Sequence, residues 1–452
     1  MAIKRLFIAN RGEIALRIVR AAQALNIETV LGVSEIDRNT RAAQLADRVV
    51  ELGPAAATAS YLDPKLIVHA ARETGCDGLH PGYGFLSEKP ILPILCEQNN
   101  IIFVGPQAEI IDSLGDKLQA RAMAKKAGVP LVPGSDHIEN AEAACDFANN
   151  IGYPVLLKAS AGGGGRGMVI ANNESEVKAG FAKASAEAQA AFNDGRLFIE
   201  RFVPEARHVE VQIMGDGLGK VLHFGERDCS VQRRYQKLIE EAPCAAMSNA
   251  LREKLLKSAV ALAESVKYRN AGTVEFLFDV QRQEFYFIEV NARIQVEHPV
   301  SECITGHDLV QMQLKIAGGE PLTLNQSDIV MRGHAIECRI NAEDTNNDFF
   351  PVPGQVSVWK PPQGDGIRLD SHLFEGAEVP PNYDSMVGKL IVHGKNRDEA
   401  ILKLSRAIDD FSVEGIVTTL PLHAEIINHG DFANNNIHTR WLEKTFLPER
   451  NN

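Results

Sequence analysis

Strand and helix signals alternate along the first 115 residues, and this alternation limits the possible folds more than any other feature of the chain. Short apolar runs predict five strands, at 6–9, 29–33, 49–52, 78–80 and 101–104. Between the first two runs, apolar residues at helical spacing mark one face of a helix: Ile14, Ile18, Val19, Ala22 and Leu25. Strands that alternate with helices form an open parallel sheet with helices on both faces. We therefore predict a doubly wound α/β domain over residues 1–115.

The rest of the chain divides into a linker and three further regions. A helical pattern from Lys117 ends at Gly128-Val129-Pro130, where glycine and proline indicate a hinge, and we predict a helical linker over 116–132. Residues 133–203 have the pattern of a small α/β unit. Residues 204–330 and 331–447 are predicted as two larger domains with many paired strands, so that the fold class is α/β and α+β multidomain.

Composition excludes several classes of protein. The chain has 452 residues and a net charge of -12, which argues against nucleic-acid binding because phosphate neutralisation needs surplus Lys and Arg. No apolar run approaches the ~20 residues of a membrane span, and the first residues enter a strand pattern without a leader peptide. Seven cysteines occur without a C-x-x-C pair, which indicates reduced thiols. These features predict a cytoplasmic protein that binds neither nucleic acid nor membranes.

A glycine-rich stretch, GGGGRG at 162–167, lies between two apolar runs. Such a run is as typical of a flexible linker as of a binding loop, and without G-K-[S/T] it is not a P-loop. Lys158 precedes it and Arg166 lies within it. Backbone N–H groups flanked by two cations suit a phosphate. We therefore predict a lid that closes over phosphates and excludes water.

Carboxylate and amide side chains recur in residues 272–298, where two strand-like runs flank a turn at 281–283. Period-two alternation predicts one face of the second strand: Phe285, Phe287, Glu289, Asn291 and Arg293. Glu275 lies among apolar residues of the first strand, where a bare carboxylate is costly unless it is paired or metal-bound. Mg²⁺ binds one or two carboxylates together with phosphate oxygens, so Glu275, Glu289 and Asn291 are candidate ligands. A buried Glu–Arg pair that stabilises the hairpin is the alternative.

Three further stretches carry polar side chains in regular patterns. His208, Glu210 and Gln212 alternate with apolar residues, as in a half-polar strand. A basic stretch such as 226–237 is by default a solvated loop, but the interspersed Gln232, Gln236 and Cys229 favour a pocket lining. Arg293, Gln295 and Glu297 alternate and, if extended, share one face that could bind a small planar anion and deprotonate it. His298 and His334 belong to no metal-ligand cluster and are interpreted as structural.

Taken together, these stretches resemble the biotin carboxylase family of the ATP-grasp enzymes. Eight signatures occur in family order along nearly the whole chain: IANRGEIA (8–15), HPGYGFLSE (80–88), GDK (115–117), KAS.GGGGRGM (158–168), ERDCSVQRR.QK (226–237), FIEVNARIQVEHPV (287–300), RGHAIECRINAED (332–344) and PPNYDSMVGKLI (380–391). The resemblance implies a doubly wound N-terminal domain, an ATP-grasp fold with a glycine-rich lid, and a C-terminal domain that completes the ATP cleft. It also implies ATP-dependent carboxylation of biotin on a carrier protein.

The resemblance assigns roles to individual residues by matching motif. ATP would be bound by Lys117, Lys158, Gly164, Gly165, Glu200, Arg201, Phe202, Val203, His208, Tyr235, Glu275 and Glu289. Mg²⁺ or Mn²⁺ would be held by Glu275, Glu289 and Asn291, and bicarbonate by Lys237, Arg293, Gln295 and the Val296 backbone. Glu297 would deprotonate bicarbonate, Arg339 would stabilise the biotin enolate, and Tyr83 would lie near biotin. Arg293, Glu297 and Arg339 are thus the implied catalytic residues.

Three positions depart from the family pattern, and none of them removes a catalytic group. Ala161 stands in place of a further glycine, Tyr235 in place of a histidine and Lys89 in place of an asparagine. Tyr235 and Ala161 therefore change one nucleotide contact and the entry to the lid.

The partners are predicted from what the sequence lacks. No methionine is followed by lysine, so the biotin-bearing Met-Lys-Met signature is absent. We therefore expect a separate biotin carboxyl carrier protein, separate carboxyltransferase subunits, and a homodimeric subunit of an acetyl-CoA carboxylase in fatty acid synthesis. Pyruvate, propionyl-CoA or a 2-oxo acid is the alternative acceptor. A different ATP-grasp carboxylate ligase and a nucleotide-binding subunit without activity are the competing functions.

Overall fold

The computed structural model describes residues 2–135, 137–160 and 168–450. Within these ranges, no helix has both the length and the apolar character needed to cross a bilayer. The predicted lid glycines, including Gly164 and Gly165, lie outside the described residues, as does Ala161.

The first unit is the predicted doubly wound domain. Its strands are β1 (Arg5–Ile8), β2 (Glu28–Ser34), β3 (Arg48–Gly53), β4 (Gly78–His80) and β5 (Ile102–Phe103), and its helices are α1 (Gly12–Ala24), α2 (Arg41–Leu45), α3 (Pro64–Glu73), α4 (Ile91–Gln98) and α5 (Ala108–Gly115). All strands pair in parallel in the order β3-β2-β1-β4-β5. Helix α1 buries most of its predicted apolar face, while Leu25 follows its last residue.

Helix α6 (Lys117–Lys126) links this domain to the next unit. It begins where the Asp116 carboxylate accepts the backbone N–H groups of Leu118 and Gln119, each at 2.9 Å. It ends before Gly128, whose φ of +75° is a left-handed conformation that favours glycine. The helix therefore stops at the glycine that the sequence indicates.

A small α/β unit follows. It contains α7 (Ala141–Ile151), β6 (Val155–Ala159), β7 (Met168–Ala171), α8 (Glu174–Phe192) and β8 (Leu197–Arg201). Its antiparallel sheet has the order β7-β6-β8. Strands β6 and β7, which lie on either side of the glycine-rich stretch in the sequence, pair with each other antiparallel.

The largest element is an eight-stranded sheet in the order β13-β12-β9-β10-β11-β14-β21-β19. The strands from this point on are β9 (Ala206–Asp216), β10 (Val221–Arg233), β11 (Gln236–Ala242), β12 (Arg269–Asp279), β13 (Glu284–Asn291), β14 (His334–Asn341), β15 (Glu343–Asp344), β16 (Phe350–Pro351), β17 (Gly354–Gln355), β18 (Val358–Lys360), β19 (Ile367–Ser371), β20 (Glu378–Val379), β21 (Met386–Gly394) and β22 (Ser412–Glu414). Strand β11 pairs with β14, so regions 204–330 and 331–447 share one continuous sheet.

Helices cover this sheet and complete the C-terminal part of the chain. They are α9 (Asn249–Ser265), α10 (His298–Thr305), α11 (Leu309–Ala317), α12 (Arg397–Asp409), α13 (Leu420–Ile427), α14 (Gly430–Ala433) and α15 (Leu447–Arg450), with a π-helix at Leu442–Phe446 and 3₁₀ turns at Glu35–Asp37, Ala57–Ala59 and Gln326–Asp328. Val209 and Val211 of β9 pack in one core with Leu255 and Leu262 of α9. Because side chains alternate along a strand, the polar residues of β9 project from the opposite face.

Candidate active site

Three carboxylates lie side by side across neighbouring strands on this polar face. Glu210 on β9, Glu275 on β12 and Glu289 on β13 are directly opposite one another in strand register. Like charges at such positions repel, so the row requires cations. His208 Nε2 lies 3.2 Å from Glu275 Oε2, and Lys237 Nζ lies 2.6 Å from Glu210 Oε2.

A β-bulge decides which side chains of β13 reach this face. Phe276 pairs with Phe287 while Glu275 pairs with Glu289, so Ile288 is an extra residue in β13. The period-two prediction that Phe287 and Glu289 share a face is wrong, because a bulge shifts the alternation by one residue. Phe287 packs in the core against Phe276, with ring centroids 6.5 Å apart, and Glu289 joins the acidic row.

Lys237 is the central cation of the site. Besides Glu210, its Nζ lies 2.6 Å from Glu297 Oε1 and 3.3 Å from Glu275 Oε1. These carboxylates come from β9, β12 and the segment after β13, so one ammonium group joins three separate parts of the chain. The ammonium group of Lys237 partly neutralises the charge of the acidic row, and it also forms an ion pair with Glu297.

Arg227 on β10 is directly opposite Glu210 in strand register and is fully buried. Its Nε donates to Glu210 Oε1 at 2.7 Å, and its two terminal nitrogens donate to Gln212, Thr273, Gln295 and Ser301 at 2.7–3.1 Å. A guanidinium with this many partners holds them in fixed orientations. In the sequence Arg227 is only one member of a basic stretch, and the solvated-loop interpretation is wrong for it.

Residues 293–297 lie outside the strands, with a bend at Arg293 and a turn at Val296 and Glu297, so the predicted strand is wrong; this segment is called the turn 293–297 below. Helix α10 begins at His298, and Pro299 in its first turn favours a helix start there. Gln295 Nε2 nevertheless donates to Glu275 Oε1 at 2.9 Å. The side chains of this segment therefore reach the acidic row through a turn, not through strand alternation.

Arg293 is held by a carboxylate of the N-terminal domain. Its Nε donates to Glu88 Oε2 at 3.0 Å and its second terminal nitrogen donates to Asn291 Oδ1 at 3.1 Å. Glu88 also accepts the backbone N–H of Ala292 at 3.2 Å. In the sequence, Glu88 stands out only as the last residue of HPGYGFLSE, and its partner is 205 residues away.

Glu297 is 1% exposed and lies between two cations. Lys237 contacts its Oε1, and an Arg339 terminal nitrogen donates to its Oε2 at 3.0 Å. Burial opposes ionisation, but Lys237 and Arg339 lower the pKa of Glu297 below its ordinary value. At neutral pH this carboxylate is therefore ionised and able to accept a proton.

Glu240, which the sequence did not single out, holds Arg339 from the other side. Arg339 Nε donates to Glu240 Oε1 at 2.6 Å, while Glu240 Oε2 has no hydrogen-bond partner in the part of the chain that the structure describes. Burial raises the pKa of Glu240 to about 7, although Arg339 opposes this rise. Strand β11 has the sequence QKLIEEA, in which polar residues outnumber apolar ones, so the local sequence contains no signal that singles out Glu240.

Replacing Glu240 with glutamine is expected to make the free energy of unfolding less dependent on pH. The folded protein keeps this proton up to about pH 7, whereas an ordinary glutamate releases it near 4.5. Because the folded state binds more protons in this window, its stability is greatest below the lower value and falls as pH rises through the upper one. Urea unfolding of both proteins across the window measures the effect.

The control for this prediction is Glu241→Gln, which changes the neighbouring buried carboxylate, 2.6 Å from Arg397 Nε. Burial opposes ionisation of Glu241, but His334 and Arg397 lower its pKa to about 2. Glu241 is therefore ionised in the folded protein throughout this window, and above about pH 5 we expect Glu241→Gln to keep the wild-type slope of stability against pH. A wild-type slope in Glu240→Gln would contradict the prediction.

Two cations flank the acidic row on the side of α6. Lys117 Nζ lies 3.8 Å from Glu289 Oε2. Burial opposes the charged form of His208, but the Glu275 and Glu210 carboxylates together raise the pKa of His208 to about 9. The imidazolium of His208 and the ammonium of Lys117 suit an anion, and the carboxylates beside them suit the cation that accompanies it.

Of the two carboxylates predicted to bind the metal ion, Glu275 belongs to a close set of donor atoms within the described part of the chain and Glu289 does not. Among the described residues, two sets of three donors have ligand atoms within 4.8 Å of one another: His208, Glu210 and Glu275, and Glu210, Cys229 and Glu297. Asn291 Nδ2 donates to Glu275 Oε1 at 2.8 Å. Burial, and next the Glu275 charge, raise the pKa of Glu289. A divalent cation would stabilise these opposed carboxylates, so the oxygen donors fit Mg²⁺ or Mn²⁺.

The small α/β unit from α7 to β8, which carries the predicted lid and is called the lid unit below, places Lys158 and Glu200 together. Lys158 Nζ donates to Glu200 Oε1 at 2.8 Å, and an Arg121 terminal nitrogen lies 3.6 Å from Glu200 Oε2. Glu200 and Arg201 end β8, and the backbone N–H groups of Arg201 and Phe202 donate to Pro133 and Pro154 carbonyls at 2.9 and 3.0 Å. These hydrogen bonds hold the segment predicted to bind adenine in an extended form.

The apolar residues beside this segment form a small cluster. Val203 packs there with Val132, Ala206 and Tyr286. An apolar wall next to an extended backbone suits a planar aromatic base.

Two predicted contacts lie at the edge of the site. Tyr235 is 64% exposed at the tip of the β10–β11 hairpin, where it and Arg234 have φ of +65° and +48°. Tyr83 is half-buried, and its hydroxyl donates to Glu13 Oε1 of α1. Of the two histidines interpreted as structural, His298 is buried in α10 and His334 lies 2.9 Å from Glu241 Oε2.

Comparison with family models covers most of the chain. Residues 2–111 match the biotin carboxylase N-terminal domain, residues 116–325 the ATP-binding domain of the carbamoyl-phosphate synthase L chain, and residues 337–444 the biotin carboxylase C-terminal domain. The doubly wound domain, the small lid unit and the acidic row on the large sheet define an ATP-grasp ligase.

Individual relatives show to which family of ATP-grasp ligases the chain belongs. Biotin carboxylase 1 of Bacillus subtilis is 49% identical over 442 residues, 98% of each chain. A pyruvate carboxylase subunit from Methanothermobacter thermautotrophicus is 45% identical over 441 residues, 97% of this chain and 89% of that one. A biotin carboxylase crystal structure from Campylobacter jejuni, a β,γ-ATP complex, has a TM-score of 0.93 at 43% identity and covers 98% and 99% of the two chains. The chain belongs to the biotin carboxylase family.

Proposed function

We propose that this protein uses ATP and bicarbonate to carboxylate biotin on a separate carrier protein, as the first half-reaction of a biotin-dependent carboxylase. The observation that carries this proposal is the position of Glu297. An ionised, buried carboxylate lies between Lys237 and Arg339, at 2.6 and 3.0 Å. A base held by two cations suits a small anionic acid such as bicarbonate.

The bicarbonate site in this proposal is built from the turn 293–297. Arg293, Gln295 and the Val296 backbone bind the anion together with Lys237, and Glu297 removes its proton.

The deprotonated bicarbonate oxygen attacks the γ-phosphorus of ATP, and the bond from that phosphorus to ADP breaks. Carboxyphosphate then releases CO₂ and phosphate, the phosphate takes the N1′ proton of biotin, and N1′ bonds to CO₂. Arg339 stabilises the enolate oxygen, because a guanidinium fixed by Glu240 is a preorganised donor.

The nucleotide lies between the lid unit and the acidic row. Lys117, Lys158, His208 and the lid backbone at Gly164 and Gly165 bind the phosphates, and 200–203 contacts adenine beside Tyr235. Lys158 must leave Glu200 to do so, and Arg121 stays near that carboxylate. Held by Glu275, Glu289 and Asn291, Mg²⁺ or Mn²⁺ would neutralise charge on the phosphate oxygens.

The proposed assembly is a homodimer that works with carrier and carboxyltransferase subunits. Acetyl-CoA is the proposed final acceptor, as the family resemblance of the sequence implies. The similarity to a 2-oxoglutarate carboxylase domain dimer and to a pyruvate carboxylase subunit supports the alternative acceptors. Seven unpaired cysteines support a reducing compartment, the cytoplasm.

The test is phosphate release from Mg-ATP with and without bicarbonate and free biotin. We expect biotin to stimulate release, and omission of bicarbonate to remove the stimulation. Turnover that needs neither substrate would favour a different ATP-grasp ligase. Absence of turnover with every combination, carrier included, would favour a nucleotide-binding subunit.

A further inference from the structure

Lys389 lies where three parts of the molecule meet, and it is fully buried. On β21 it is directly opposite Arg339 of β14 and Asp370 of β19. Residues opposite one another on adjacent strands share a face, so Lys389 projects from the same face as Arg339. A buried ammonium is costly unless its donors are satisfied, so its partners are informative.

One partner is the turn that carries Glu297. Lys389 Nζ donates to the Val296 backbone carbonyl at 2.7 Å. That carbonyl belongs to the planar peptide that joins Val296 to Glu297. The hydrogen bond therefore orients the peptide from which the proposed base projects, and it does so from outside the bicarbonate site.

The other partner comes from the N-terminal domain. Glu13 Oε1 lies 3.3 Å from Lys389 Nζ and also accepts the Tyr83 hydroxyl. Glu13 Oε2 and both carboxylate oxygens of Glu337 are buried and have no hydrogen-bond partner among the described residues. Glu337 is two residues before Arg339 on β14, so it shares the face of Lys389. The ammonium group of Lys389 therefore contacts both the Glu13 carboxylate and the Val296 carbonyl of the turn.

We propose that Lys389 is a positioning residue that couples the biotin pocket to the bicarbonate-binding turn. The connection runs from the Tyr83 hydroxyl through Glu13 and Lys389 to the Val296 carbonyl. A ligand that contacts Tyr83 changes the partner of Glu13, and the shared ammonium transmits this change to the turn. Because coupling between two sites is reciprocal, bicarbonate also affects biotin binding. This inference rests on the proposed function.

The test measures KM for bicarbonate, ATP and biotin by phosphate release in the intact protein. Tyr83→Phe removes only the hydroxyl and is expected to raise KM for bicarbonate about tenfold, since one buried hydrogen bond is lost. KM for ATP stays at the wild-type value. Lys389→Met is expected to change KM for bicarbonate in the same direction and by more. In the Lys389→Met background, Tyr83→Phe adds no further change in KM for bicarbonate.

Matched controls remove similar groups elsewhere. Lys220→Met deletes an ammonium that donates to the Leu322 carbonyl at 2.8 Å, and Tyr268→Phe deletes a buried hydroxyl that donates to the Ala271 carbonyl at 3.0 Å. Both are expected to keep the wild-type KM values. If Lys389→Met does not fold, Tyr83→Phe decides alone.

Two results would overturn the coupling. One is an unchanged KM for bicarbonate in Tyr83→Phe, with only KM for biotin altered. The other is an equal rise of KM for bicarbonate and ATP, which is the effect of a general structural defect. A wild-type protein without bicarbonate-dependent phosphate release would instead overturn the proposed function, so the two failures are distinguishable.

Discussion

Glu297→Gln is expected to lower bicarbonate-dependent phosphate release by about 10²- to 10⁴-fold, the range that a general base contributes. Glutamine keeps the shape of the side chain, and its carbonyl oxygen can still accept from Arg339, but it cannot take a proton. Lys117, His208 and the acidic row are unchanged by the substitution, so Mg-ATP binding is expected to persist. Phosphate release at saturating bicarbonate and calorimetric titration with Mg-ATP measure the two quantities separately.

The control is Glu226→Gln, which also removes a buried carboxylate from an ion pair, with Arg252 at 2.6 Å. We expect it to lower stability and to leave turnover close to wild type. Equal turnover in Glu297→Gln and wild type would remove Glu297 from the mechanism. An equally large loss of Mg-ATP binding would show that its role is only to hold Lys237.

Arg339→Ala is expected to have the second-largest effect, a loss of about 10²- to 10³-fold in biotin-dependent phosphate release, as for other preorganised oxyanion donors. The guanidinium contacts Glu297 Oε2 at 3.0 Å and Glu240 Oε1 at 2.6 Å, and neither partner belongs to the proposed ATP site. ATP affinity is therefore expected to change much less than turnover. The comparison is kcat with free biotin against the Kd of Mg-ATP.

A double variant separates catalysis from stability at this position. Arg339→Ala leaves Glu240 buried and without its cation, which is destabilising in itself. Adding Glu240→Gln is expected to restore thermal stability without restoring turnover. Recovery of turnover in the double variant would mean that Arg339 only compensates the charge of Glu240, and the proposed oxyanion role would be wrong.

The parallel sheet of the N-terminal domain was predictable to within one residue at each strand end. Its central strands β1, β2 and β4 are buried along nearly their whole length, and such strands appear in a sequence as continuous apolar runs. The run at 29–33, for instance, corresponds to β2 (Glu28–Ser34). The polar alternation of β9 was predictable for the complementary reason, because one face is packed and the other lines the site.

Two features of the site could not be predicted from the periodicity of the sequence. The bulge at Ile288 belongs to the pairing of β13 with β12, and periodicity within one strand does not show the register of its partner. The turn at 293–297 forms because α10 begins at His298, where a helix start replaces the alternation that the residues suggest.

Glu88, Glu240 and Lys389 were missed for a further reason. The identity of a charged residue does not show whether it is solvated or buried. Each of these three residues also contacts a partner that is distant in sequence. Glu88 meets Arg293, Glu240 meets Arg339 across 99 residues, and Lys389 meets Val296 across 93. Local sequence therefore contains no sign of the pairing.

The sequence by itself determined the class of fold, the family resemblance and the inventory of cations and carboxylates, because these follow from local periodicity and from motifs of fixed spacing. Tertiary structure alone decided which carboxylate faces which cation. Glu297 differs from Glu289 as a candidate base because Lys237 and Arg339 contact it, whereas Glu289 lies opposite Glu275. The pKa of a buried carboxylate depends on neighbours within a few ångströms, and only the folded chain brings those neighbours together.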